Sequence, residues 1–200
     1  MKKVQLMLLF VGLTTMSFSQ KIKIEKGGLD FLKGVTELNV EYDYSKMGVG
    51  KYKNEQDYLD KKVKEKNDKE AGTGDKWLES WNGSRKRVYQ PKFESLFNKI
   101  LAKKSMTIGE DRADAKYTLI VKTVFTEPGF NIGITSRPSF VSFEYSFVET
   151  GSDKVLCKMV QSKVPGAQAM GMDFDTSTRI SESYAKAGKM LASFIYKKIK

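Results

Sequence analysis

Histidine is absent from this chain of 200 residues, and cysteine occurs once, at Cys157. The first absence removes His-assisted Ser or Cys nucleophiles, imidazole acid–base chemistry and His-ligated zinc. The second removes an intramolecular disulfide and any thiolate cluster for zinc or iron–sulfur. Catalysis would have to rest on carboxylates, Lys, Tyr or Ser. No catalytic residue, metal site or cofactor is expected. Cys157 sits in an apparent strand, where a small buried hydrophobe is the expected role. Gly48-Val49-Gly50 and Gly72-Thr73-Gly74 lack the flanking residues of a phosphate-binding loop, so a nucleotide fingerprint is also missing. Beyond the N-terminus, no segment is apolar enough to span a bilayer, which takes about 20 residues.

What the N-terminus does hold is a secretory pattern. Lys2 and Lys3 precede an apolar stretch from Val4 to about Thr15, and Ser17 and Ser19 supply the small residues signal peptidase requires. Residues 1–19 read as a signal peptide, with Gln20 starting a mature chain, residues 20–200, that forms a single domain. No cysteine lies near the cut, so an exported, periplasmic or secreted and non-lipidated protein is expected. Losing Lys2 and Lys3 and no acid lowers the formal charge from +11 to +9. Such a surface suits an envelope protein, an anionic glycan or a lipid surface; export makes nucleic acid an unlikely partner. It also serves simple solubility.

Period-two alternation marks a strand over Glu37–Tyr44, with Leu38, Val40, Tyr42 and Tyr44 on one face. Residues 54–69 carry opposite charges four apart and read as a solvated surface helix. Trp77, Leu78 and Trp81 share a helical face, Asn82-Gly83-Ser84 reads as a turn, and Pro91 opens a new helix whose stripe is Phe93, Leu96, Phe97, Ile100 and Leu101. Strands follow at 117–125, 140–148 and 154–164, the last two joined by a hairpin at Thr150–Asp153. A final helix from about Thr176 buries Ile180, Tyr184, Ala187, Leu191, Phe194 and Ile195. The expected fold is a two-layer α+β domain, with an about four-stranded, largely antiparallel sheet and amphipathic helices packed on one face.

An antiparallel meander places the 126–139 and 165–175 connections at one end of the sheet. They offer Phe130, Ile132, Ile134 and Arg137 from the first, and Met170, Met172 and Phe174 from the second. These side chains either form a patch for a partner or apolar ligand, or fold down as core. A second candidate is a basic-aromatic cluster of Arg85, Lys86, Arg87, Trp77 and Trp81, suited to an anionic glycan or lipid headgroup, or else a solvated basic turn. The carboxylate pairs Glu41/Asp43 and Asp173/Asp175 lack the ligand spacing of a calcium loop, and strand and capping roles account for them. A carboxylate-based hydrolase is the remaining alternative.

The signal ending Ser17-Phe18-Ser19-Gln20, the run Leu32–Val40, and Gly74-Asp75-Lys76-Trp77 followed by Tyr89-Gln90-Pro91-Lys92-Phe93 resemble exported proteins of Bacteroidetes that are uncharacterised. The C-terminal half, with Ala113-Asp114-Ala115-Lys116-Tyr117 and Glu149-Thr150-Gly151, is similar to small envelope lipoproteins of unknown function, although the lipidated cysteine is lacking. The resemblance implies an envelope location and an α+β fold, and carries over no catalytic residue. The functional expectation is a non-enzymatic binding domain using the two loops.

Overall fold

The structure, a computed structural model, describes residues 21–131, 135–167 and 176–199. It is an α+β fold built on a mixed sheet. The strands are β1 (Lys23–Gly27), β2 (Glu37–Asp43), β3 (Gly48–Val49), β4 (Thr107–Gly109), β5 (Tyr117–Glu127), the two-residue β6 (Phe130–Asn131) and β7 (Ser136–Arg137), β8 (Phe140–Glu149) and β9 (Val155–Pro165). The helices are α1 (Glu55–Asn67), α2 (Thr73–Ser84), α3 (Gln90–Leu101) and α4 (Thr176–Lys198).

The meander β5–β8–β9 is antiparallel, as its turn chemistry implies. The sheet as a whole departs from the expectation. Among the described residues it has seven strands, in the order β1-β9-β8-β5-β2-β4 with β3 also on β5. It is mixed, because β2 runs parallel to both β5 and β4. The reason is the connection: β2 returns to β5 through α1, α2 and α3, and a crossover of that length brings the chain back in the same direction. The strands missed by pattern are short or charged. β4 has three residues, β3 two, and β1 carries Lys23, Glu25 and Lys26 along an exposed edge, where charge blunts edge-to-edge pairing.

Alternation along the meander sets up two unlike faces. Leu119, Phe147 and Cys157 lie in one cross-strand row, and Val121, Tyr145 and Met159 in the next; all are fully buried. The opposite face carries ion pairs, Lys122 with Asp43 at 2.8 Å and Lys158 with Glu144 at 2.8 Å. Burial of the Cys157 thiol raises its pKa, in keeping with an inert core residue.

α3 and α4 cover the apolar face. Phe93 of α3 meets the Tyr42 ring edge-on at 6.1 Å and Tyr145 at 6.3 Å. Tyr184 of α4 lies edge-on to Phe143 at 5.0 Å, and its hydroxyl is 2.6 Å from that of Thr123. Phe93, Phe97 and Leu101, and Ile180, Ala187, Leu191 and Ile195, have no more than 1% exposure, while Leu96, Ile100 and Phe194 lie at the margin. Each fully buried side chain of this size is worth roughly 1.5–3 kcal/mol.

The expected turn at Asn82-Gly83-Ser84 is instead helix. α2 continues through a π-helical segment, Arg85–Tyr89, directly into α3. Pro91 explains the wider turn. It has no N–H, and its ring would strike the carbonyl four residues back in a regular α-helix. A π-turn, in which Gln90 N–H reaches back to the Arg85 carbonyl, makes room for it without ending the helix.

α4 packs tightly on α3 at Gly188, where an added Cβ would stand 2.2 Å from the Phe93 carbonyl oxygen. Gly→Ala inside a helix ordinarily gains about 1 kcal/mol. Here the sign reverses, and Gly188→Ala is expected to lower the unfolding free energy by about 1–3 kcal/mol in urea titration, through overpacking. A stabilised variant would show that the two helices do not meet there.

Candidate functional site: a basic aromatic groove at the loop end

β5, β8 and β9 fix one end of the sheet as the loop end. Glu127 pairs with Phe140, Phe140 pairs with Pro165, and Gly166 N–H donates to the Ser139 carbonyl at 2.9 Å. The chain beyond Glu127 and the chain beyond Pro165 therefore leave the sheet together. β3 joins the same end by pairing with Phe125 and Thr126. Gly50 follows at φ +57°, and its N–H donates to the Thr126 carbonyl at 3.0 Å. That tight turn sets Lys51 and Tyr52 at the rim.

α1 and α2 build the facing wall. Asn54 caps α1 by accepting from Asp57 N–H at 2.9 Å. Tyr58, Lys62 and Lys66 then recur at every fourth residue, so one helical face points toward the loops. α2 turns back through Gly74, whose N–H donates to Asn67 Oδ1 at 2.8 Å; a Cβ there would stand 2.4 Å from the Val63 carbonyl oxygen. This brings Trp77 and Trp81 against Tyr58, with ring centroids at 5.9 and 5.3 Å. Tyr52 extends the row, 5.9 Å from Tyr58. Burial, with Glu127 and Glu65 adding to it, raises the Tyr58 pKa, so its hydroxyl stays protonated.

Glu55 locks the two helices. Its carboxylate accepts from Trp81 Nε1 at 2.6 Å and from Arg85 Nη2 at 2.5 Å. The Arg85 guanidinium also lies 4.4 Å above the Tyr44 ring, and burial is the main cause that pushes the Tyr44 phenol up to about 12.

The opposite wall is the β5–β8 connection. Gly129 adopts φ +68°, and a Cβ there would stand 2.5 Å from the Arg137 carbonyl oxygen. The resulting ribbon pairs Phe130 with Arg137. Phe130 is 39% exposed, and the Arg137 guanidinium sits 5.7 Å from its ring. Glu127 accepts from Gly129 N–H at 3.2 Å and from Arg137 Nη1 at 3.4 Å.

Between the walls lies a groove of about 510 Å³. Tyr52, Tyr58, Trp77 and Phe130 give it aromatic surface; Lys51, Lys62, Lys66, Arg137 and Arg179 give it positive charge, and Glu127 is the one acid among the described lining residues. Lys62 is engaged by Glu65 at 3.2 Å, and Arg179 donates to Thr176 Oγ1 at 3.2 Å.

The residues singled out by sequence are distributed as follows. Phe130 and Arg137 line the groove; Ile132, Ile134, Met170, Met172 and Phe174 lie outside the described residues. The basic-aromatic cluster does not assemble as one patch. Trp77 lines the groove, Trp81 is buried, and Arg85 turns inward to Glu55. Lys86 and Arg87 are exposed, and Arg87 lies against a separate surface with Pro91, Leu96 and Glu182. The continuous helix is the reason, since successive residues point in different directions around its axis. Sequence reasoning missed Tyr52, Tyr58, Lys62 and Lys66. For Tyr58, Lys62 and Lys66 the four-residue spacing was the available signal, but it lay in a helix read as mostly solvated. Of the carboxylate pairs, Asp43 is tied to Lys122 and to Ser45 N–H at 2.7 Å, Glu41 is exposed on the sheet, and Asp173 and Asp175 lie outside the described residues. Among the described residues, no group of three potential ligands is placed to hold a metal ion.

No family model matches this sequence, and neither does any curated protein. Among solved structures, the PelC dodecamer from Paraburkholderia phytofirmans and a variant of it align at TM-score 0.37 and 11% identity. The alignments cover 86% of this chain and 96% and 98% of theirs. A likeness at this level carries no functional inference.

Glu55→Ala would strand Arg85 and the Trp81 N–H in a largely buried site, with side-chain exposures of 21% for Arg85 and 16% for Glu55. The expected loss is about 2–3 kcal/mol of unfolding free energy, read by urea titration. A loss under about 0.5 kcal/mol, the range of an exposed pair, would mean that this carboxylate does not hold α1 to α2.

Proposed function

We propose that this protein is an exported, non-enzymatic binding module of the cell envelope, and that the loop-end groove takes an acidic sugar unit of a glycan. The observation that carries this reading is the combination of four aromatic rings with five cationic side chains and, among the described residues, a single acid in one groove. Sugar rings present apolar C–H faces that stack on aromatic side chains, and carboxylate, sulfate or phosphate substituents pair with Lys and Arg. The volume suits one or two sugar units. Trp77 and Phe130 are the stacking surfaces, Lys66 and Arg137 the anion contacts, and Glu127 a positioning residue that orients Arg137 through their 3.4 Å contact. The reading unites the two sequence-derived candidates, because the groove draws Phe130 and Arg137 from the first and Trp77 from the second. The leader pattern of residues 1–19 supports an address outside the cytoplasm. Among the described residues, no helix is long and apolar enough to cross a membrane.

Titration calorimetry with oligogalacturonate, beside a neutral maltooligosaccharide of equal length, tests the assignment. Binding of the acidic ligand alone is expected, weakening as salt is raised. Lys66→Gln and Trp77→Ala are each expected to weaken it about tenfold. Equal binding of the neutral sugar, salt-insensitive binding, or wild-type affinity in both variants would sink the reading.

A further inference from the structure

α4 has a second face that the groove does not use. Its buried stripe packs on α3 and the sheet, and the side turned away carries Lys186, Lys189, Met190, Phe194 and Lys197, recurring at three- and four-residue intervals. With Lys21 and Ile22 at the point where the chain enters the fold, they line an open depression of about 700 Å³. No acid lines it. Among the described residues, none of its four lysines lies within ion-pair distance of a carboxylate, whereas Lys61, Lys62, Lys64, Lys92, Lys122, Lys154 and Lys158 each do. Lys186 Nζ donates to the Gly166 carbonyl at 3.1 Å, a contact that leaves its charge uncompensated. Lys197 suits the negative end of the helix. Lys186 and Lys189, in its middle, have no such role.

We infer that this face docks on an anionic bilayer surface. Two independent observations select that occupant. The first is charge: unpaired lysines interleaved with half-buried Ile22, Met190 and Phe194 match a surface of phosphate headgroups over hydrocarbon, the pattern of interfacial helices. The second is connectivity. The apolar segment Val4–Thr15 joins the fold at Lys21, in the wall of this depression, through only residues 16–20. At most roughly 22 Å of extended chain separates them. While that segment is held in a membrane, the short connection keeps this face near the lipid. After cleavage the lysines alone would keep it there, as a weak, reversible and salt-sensitive attachment. The surface is distinct from the groove and does not rest on the glycan reading.

The core described above is drawn from residues 22–199, and the chain from Gln20 onward, the expected mature form, is the one to test. It is sedimented with vesicles of equal parts phosphatidylglycerol and phosphatidylcholine, and with vesicles of phosphatidylcholine alone. Binding is expected to the first and not to the second, and to be lost at high salt. Each of Lys186→Gln, Lys189→Gln and Lys197→Gln is expected to reduce it about fivefold, and the three together about a hundredfold. A control removes the same charge elsewhere, with Lys61→Gln, Lys64→Gln and Lys69→Gln on or beside α1, and is expected to bind nearly as wild type. The inference is overturned by absence of binding to anionic vesicles, by equal binding to neutral ones, or by a control that loses as much as the α4 triple variant. Oligogalacturonate titration of the same α4 variants should be unchanged, which separates this result from the fate of the groove.

Discussion

The closeness of α3 and α4 at Gly188 is the constraint on which the rest of the molecule depends. With no side chain at that position, the α4 backbone lies against the Phe93 carbonyl, and the two helices form one layer rather than two separate rods. Only a layer that tight lets Phe93 reach Tyr42 and Tyr145 while Tyr184 reaches Phe143 and Thr123. The sheet's apolar face is then closed by aromatic contacts at its centre, and α4 is fixed in rotation about its own axis. That rotation decides which residues face out. The same packing that buries Ile180, Tyr184, Ala187, Leu191 and Ile195 leaves Lys186, Lys189, Met190, Phe194 and Lys197 on the outside.

A second tie acts at the loop end. α1 carries little apolar surface, and Leu59 is its one fully buried side chain. Such a helix gains little from hydrophobic burial and needs polar anchors. Glu55 supplies one by holding Trp81 and Arg85 together; Asn67 supplies another through Gly74. These bonds place Tyr58, Lys62 and Lys66 opposite the β5–β8 connection. The basic wall of the groove therefore rests on hydrogen bonds together with the packing of Tyr58 and Leu59, while its far wall is set by the sheet.

How much of this was legible in the sequence follows from the range of each interaction. The stripes of α3 and α4, the alternation of β8 and the β8–β9 hairpin are local patterns, and they read correctly. The mixed sheet did not, because the parallel pairing of β2 with β5 joins residues 79 apart, as between Asn39 and Thr118, and nothing in either strand records its partner's direction. The π-turn was hidden for a related reason. Asn82-Gly83-Ser84 and Pro91 are both sound breaking signals taken singly; the five-residue widening between them lets one helix absorb both. At the site, Phe130 and Arg137 were legible because an exposed aromatic in a long connection is unusual by itself. Arg85 turns inward because its partner, Glu55, is 30 residues earlier, and nothing local to either residue records the other.

The two surfaces lie along the same helix, and their relative placement limits how they could act together. Thr176 and Arg179, in the first turn of α4, line the groove, and Lys186 to Lys197 span the later turns. Over that span the basic face extends about 16 Å, at about 1.5 Å per residue, so all three of its lysines reach one plane only if α4 lies roughly parallel to it. In that posture the groove is displaced sideways along the helix rather than pressed beneath the molecule. The negative surface potential of such a bilayer attracts the cationic groove but repels mobile anions, so only an anion held at the membrane would be brought to it. An acidic chain running close to the membrane surface is the geometry in which the two sites would reinforce each other. A short free sugar would gain nothing from the second site.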